Sequence, residues 1–142
     1  MPEFVSLTGA KSTGVLYDLL GGVITSPKNP RALQLMAEFK KKYGVESGPY
    51  GIGLYEMMNI YFDALRKVGN PEDHKAIAAA IGATDKVTAE GRVQFDPKTH
   101  LAMQDDDHIP ILFFQIWDGN RVLIAPPKYA TGGFQLPPWM KK

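Results

Sequence analysis

The dipeptide Asp118-Gly119 sits between two β-rich runs, Ile109-Pro110-Ile111-Leu112-Phe113-Phe114-Gln115-Ile116-Trp117 and Arg121-Val122-Leu123-Ile124-Ala125. Both residues tolerate positive φ, the backbone that a tight antiparallel connection demands. The spacing therefore predicts a β-hairpin from Ile109 to Ala125. Pro126-Pro127 ends it, because proline cannot donate to a ladder. Upstream, Gly91 to Phe95 alternates like a short strand, and Asp96-Pro97 turns the chain away. The polar stretch from His100 to His108, with Asp105-Asp106-Asp107, reads as an exposed loop.

Three helices precede these strands, each marked by similar punctuation. Asn29-Pro30 supplies an N-cap followed by proline at the first helical position, and the helix runs to about Tyr43 before Gly44. Leu35, Phe39 and Tyr43 form its stripe. Gly48-Pro49 opens a second helix that runs to about Val68, where Gly69 follows. Leu54, Met58, Tyr61, Leu65 and Val68 recur there at helical spacing, and the added Met57, Ile60 and Phe62 widen the apolar face. Asn70-Pro71 starts a third helix whose inner face is Ile77, Ala80 and Ile81, and Gly82 ends it. Earlier, Val15 to Leu20 reads as the end of a helix or turn. Gly21-Gly22 break it, and Val23-Ile24-Thr25 reads as a short strand.

With 44% hydrophobic and 22% charged residues, the 142-residue chain fits one globular unit with a core. A net charge of +1 gives no support for a nucleic-acid partner, which would require a clustered basic excess. Lys40-Lys41-Lys42 lies late in a helix, where cations meet the negative end of the dipole, and reads as a solvated face. The absence of cysteine excludes disulfides, thiol nucleophiles and thiolate metal sites. No apolar run approaches the ~18 residues of a membrane helix. The first ten residues lack the basic-then-apolar pattern of a secretory signal.

Chemistry is sparse. His74, His100 and His108, even with the nearby aspartates, match no metal-binding spacing, so no metal is expected. None of Ser6, Ser12, Ser26 or Ser47 lies in a Gly-x-Ser-x-Gly setting. Gly48 to Gly53 is glycine-rich before a helix, but it has neither the Lys-Ser/Thr of a phosphate loop nor dinucleotide-site spacing. Tyr61 falls on the apolar stripe and reads as core. Tyr55 lies one turn before Asn59 near a helix start. It serves either ordinary packing or a ligand to which it offers its ring face and hydroxyl. Tyr50 is a candidate by proximity alone.

Several segments together carry a resemblance: Gly22-Val23-Ile24-Thr25-Ser26-Pro27, Phe39-Lys40-Lys41-Lys42-Tyr43-Gly44, Tyr55 through Gly69, Ile77 to Ile81, Gly91-Arg92-Val93-Gln94-Phe95-Asp96 and Gln115-Ile116-Trp117-Asp118-Gly119. In order and spacing the chain resembles the carboxy-terminal part of a periplasmic solute-binding protein of the branched-chain amino-acid ABC transporter type. The resemblance implies an α/β chain with a partial type I periplasmic-binding-protein fold, three helices followed by a strand and a β-hairpin. It divides the chain into residues 1–25, the end of a second-lobe segment and a crossover; 26–90, first-lobe helices; and 91–142, a return crossover and the terminal hairpin of the second lobe. A full member is over twice as long, so the resemblance implies a truncated unit without the groups that grip the solute's carboxylate and ammonium. Tyr55 matches a cleft tyrosine of that family.

Implied with it are a small amino-acid or amide solute, a membrane permease as partner, a periplasmic or extracellular parent, no cofactor and no enzymatic activity. Self-association of the fragment follows from the faces it would leave unburied. The alternative is a stand-alone interaction or regulatory ligand-sensing module built from the same piece of fold.

Overall fold

The computed structural model describes residues 2–48 and 50–140, the side chains of Pro2 and Glu3 excepted. Its elements are α1 (Pro2–Thr8), β1 (Leu16–Leu20), α2 (Pro30–Tyr43), α3 (Gly51–Val68), α4 (His74–Gly82), β2 (Asp85–Thr88), β3 (Gly91–Gln94), β4 (Ile111–Trp117) and β5 (Asn120–Ala125), with short 3-10 turns at Gly9–Ser12 and Pro138–Met140. The strands form two antiparallel sheets, a three-stranded one in the order β1-β4-β5 and the β2-β3 hairpin.

The terminal hairpin forms as the sequence dictates. Asp118 and Gly119 have φ of 47° and 75°, the paired positive values of a tight turn, and Trp117 faces Asn120 across it. The helices keep most of their predicted punctuation. Asn29 caps α2 by accepting from the Ala32 N–H at 3.2 Å, and Gly44 and Gly69 end α2 and α3 in left-handed conformation. Two starts move. Pro49, part of the predicted start of the second helix, lies outside the described residues, and α3 begins at Gly51 with Tyr50 as N-cap. The third helix starts at Asp73, whose Oδ1 accepts from Ala76 N, rather than at Asn70-Pro71. Asn70 instead accepts from Glu72 N and closes a turn. Gly82 is the last helical residue of α4, not the residue beyond it.

Three strand expectations change. Residues 16–20 are β1, not a helix end. They alternate, with Leu16, Asp18 and Leu20 outward and Tyr17 and Leu19 packed on the sheet core. Val23 to Thr25 forms no strand. The segment is buried and makes a single bond typical of a ladder, from Ile24 N to Ala89 O at 2.9 Å, because no strand lies alongside it. β2 was missed, since Asp85-Lys86-Val87-Thr88 is short and half charged. It is β2 that gives β3 its partner.

The interior is three small clusters rather than one core. Ile24, Leu112, Phe114, Leu123 and Tyr129 fill the inner face of the three-stranded sheet. Val23, Ala32, Ile52 and Ala89 join α2, α3 and the 89–90 turn. Ile60, Val93 and Ile109 join α3 to β3. The buried side of α3 is Ile52, Gly53, Glu56, Ile60 and Ala64. The stripe expected to be core is largely outside: Leu54 is 65% exposed, and Met58, Tyr61 and Phe62 are exposed as well. A second bare apolar face lies on the sheet, where Leu20 pairs Ile111 and Asp18 pairs Phe113, with Leu16 beside them.

Two predictions follow from this arrangement. The Asn29 amide donates to Thr88 O and Ala89 O, both at 3.1 Å, as well as capping α2. Asn29→Ala should therefore cost about 2 kcal/mol in urea unfolding, against about 1 kcal/mol for Asp73→Ala at an exposed cap. Light scattering of the purified chain should show concentration-dependent association through the α3 and sheet faces. A monomer at every concentration would contradict that expectation.

Candidate functional site

The centre of the helical half is a charged group on an apolar face. Positions 52, 56, 60 and 64 recur one turn apart on α3, and the second is glutamate. Glu56 is 0% exposed. Its carboxylate takes two bonds from Arg31, Oε1 from Nε at 2.5 Å and Oε2 from Nη2 at 2.9 Å, and a third from Ala89 N at 3.2 Å. A paired, multiply bonded carboxylate is the form in which burial of a charge is tolerated. The hydrogen bonds that Arg31 donates to the Glu56 carboxylate hold its guanidinium above its ordinary pKa.

A second carboxylate stands beside it. Glu90 occupies the turn between β2 and β3, is 7% exposed, and lies against the Cα of Gly53, where any side chain would collide with it. The Glu90 backbone N–H donates to Thr88 Oγ1, and Thr88 Oγ1 donates to Gly91 O. Burial, then the neighbouring Glu56, pushes the Glu90 carboxyl up to about 7. The sequence offered one signal for this cluster, a lone glutamate in register with Ile52 and Ile60. The heavier apolar stripe of Leu54, Met58, Tyr61 and Leu65 outweighs it.

Tyr55 is 53% exposed and is not part of a core cluster. It borders an open groove of about 360 Å³ between α2 and the first turn of α3, with Leu35, Phe39, Tyr43, Gly51 and Ile52. The Phe39 and Tyr43 rings meet there with centroids 4.6 Å apart, tilted by 47°. The groove thus offers aromatic and aliphatic walls, with Glu38 and Lys42 at its edge. Tyr50 is 63% exposed and does not line this groove. The two tyrosines are therefore not brought together.

A larger groove, about 610 Å³, is bordered by Lys28, Arg31, Arg92, Lys128 and Asp107. Three of its four cations already hold carboxylates: Arg31 with Glu56, Arg92 with Asp85, and Lys128 with Asp107 at 3.4 Å. Its field is correspondingly weak. Of the histidines, His74 and His100 are exposed, and His108 contacts Asp105 Oδ1 and Gln94 Oε1. Among the described residues no three potential metal ligands cluster, and no helix is long and apolar enough to cross a membrane.

The Glu56 cluster is tied to α2, α3 and the 89–90 turn at once. Glu56→Ala should leave the Ala89 N–H without its partner and release Arg31, 39% exposed, to solvent, and cost about 2 kcal/mol by denaturant unfolding. A loss under 1 kcal/mol would mean that the pair does not hold these elements together.

No family model and no curated protein matches this sequence. Solved structures do. A proposed branched-chain amino acid ABC transporter protein from Silicibacter pomeroyi is 27% identical over 99% of this chain, with a TM-score of 0.80 and 38% of its own length covered. A leucine binding protein from Thermotoga maritima is 22% identical over 87% of the chain, with a TM-score of 0.67 and 33% coverage. A solute binding protein of an ABC transporter from R. palustris, in complex with benzoate, is 14% identical over 90%, with a TM-score of 0.69 and 33% coverage. The chain spans little more than a third of the length of these structures. It has, in part, the type I periplasmic-binding fold of the solute-binding proteins of branched-chain amino-acid ABC transporters, proteins that bind their ligands and are not enzymes.

Proposed function

We propose that this chain is one portion of a receptor that captures a small amino-acid-like solute between two lobes and delivers it to a membrane permease, in a periplasmic or extracellular setting. The observation that carries this reading is the match to the Silicibacter pomeroyi protein over 99% of the chain at a TM-score of 0.80. The pairing of β1 with β4 supports assigning residues 1–25 and 91–142 to one lobe, with the helices of residues 26–90 in the other. The β2-β3 hairpin then spans the junction at 90–91. Residues 22–29, buried at Val23, Ile24, Ser26 and Asn29 and bonded to the 88–89 turn through Ile24 and Asn29, act as a crossover between the lobes.

A zwitterion leaving water needs partners for both of its charges. The groove beside Tyr55 supplies aromatic walls and no fixed pair of opposite charges aimed into it. Tyr55 therefore contributes a ring face and hydroxyl, Tyr50 at most a peripheral contact, and the charge clamps come from the rest of the receptor.

Calorimetric titration of this chain alone with leucine, isoleucine and valine should give affinities weaker than roughly 1 mM. Micromolar binding would place the clamps inside these residues. In a receptor-length protein carrying this portion, Tyr55→Phe should weaken solute binding by ~1 kcal/mol, Tyr55→Ala by more, and Tyr61→Phe hardly at all. If such a protein binds no amino acid, amide or aromatic acid, the transport reading fails.

A further inference from the structure

The turn from Thr88 to Gly91 is where the helical elements and the 22–29 segment meet. Ala89 O accepts from Ile24 N at 2.9 Å, and Thr88 O and Ala89 O accept from the Asn29 amide. Ala89 N donates to Glu56. The turn is thus clamped on three sides by buried bonds. Glu90 sits inside this clamp, pressed against Gly53, and among the described residues its carboxylate has no hydrogen-bond donor or cation of its own.

The charged groups around it are unevenly shared. From α3 it faces Glu56. On α2, Arg31 has its Nε and Nη2 already given to Glu56. On the hairpin itself Arg92 is held by Asp85 through two bonds, at 2.6 and 2.7 Å. From the loop before β4, His108 presents its backbone oxygen to Gly91 and turns its ring to Asp105 and Gln94. An ionised Glu90 would place a second negative charge beside Glu56, whose arginine is already engaged. A protonated Glu90 removes that repulsion.

We propose that Glu90 makes the 88–91 turn a proton-controlled clamp: protonated, it seats on α3 and holds the 22–29 segment; ionised, it loosens that hold. The direction follows from linkage. The closed clamp binds the proton more tightly than an open one, in which Glu90 titrates near 4.5. The closed form is therefore favoured at low pH and loses ground as pH rises from about 4.5 to about 7. Any effect on lobe closure rests on the crossover role proposed above for residues 22–29. The clamp does not, and it can be read in this chain without a solute.

Native-state hydrogen exchange at pH 6 and pH 8, corrected for intrinsic exchange, tests it. Protection of the Ile24 and Ala89 amides should fall about tenfold between the two, with little response to low urea, which marks a local opening. Glu90→Gln should abolish the pH response while keeping protection high. An unchanged protection in the native chain, the same fall in Glu90→Gln, or a fall that tracks urea like global unfolding would each overturn the clamp. Failure here leaves the transport reading intact, whereas failed solute binding in the receptor-length protein leaves the clamp intact.

Discussion

The ion pair between Arg31 and Glu56 is the constraint on which the helical half depends. A carboxylate at 0% exposure is tolerated only because Arg31 meets it with two bonds and Ala89 supplies a third. Each of those groups comes from a different element. The pair therefore fixes the approach of α2 to α3 and the seat of the β2-β3 turn in a single geometry. The apolar cluster of Val23, Ala32, Ile52 and Ala89 packs alongside it, but four small or medium side chains cannot set orientation by area alone. The pair, its carboxylate buried and its guanidinium half-exposed, specifies where the helices sit, and the apolar contacts fill the space that results.

α3 has two unlike faces. Its buried side is short, carries a charge, and meets β3 and the 89–90 turn. Its outer side carries Leu54, Met58, Tyr61 and Phe62. Ordinary amphipathic helices bury the larger residues. Here the larger residues are bare, as are Leu16, Leu20, Ile111 and Phe113 on the three-stranded sheet. Both faces agree with a chain that spans 38% of the Silicibacter pomeroyi structure.

Local chemistry made much of this fold legible in the sequence. Asp118-Gly119, the Asn29-Pro30 cap and the glycines at 44 and 69 act within a few residues, and each does in the structure what its chemistry demands. What escaped depends on distant partners. Residues 16–20 are a strand because β4 lies beside them, and nothing local announces that. The third helix is capped by Asp73 and not by the expected Asn70-Pro71, since Asn70 is spent on the turn before it. The α3 stripe was misjudged because side-chain size was taken for burial, which hid Glu56 and Arg31. Glu90 gave no sign, since its character comes from Gly53 and Glu56, over thirty positions away. Tyr55 is exposed, and the groove it borders owes its other wall to α2, which no spacing on α3 could reveal.

The β1-β4 register has a topological consequence. The ladder ends with Leu20 opposite Ile111, so the chain leaves the sheet at one point and returns beside it after the whole helical unit has been made. Residues 21–110 therefore leave the three-stranded sheet and return to it at neighbouring points. Such a sheet cannot close until nearly all of the chain has been synthesised, which makes its folding late and dependent on prior collapse of the residues between. The same adjacency makes Leu20 and Ile111 one doorway for everything between them, and Ile24, just past it, reaches back to fill the inner face of the sheet.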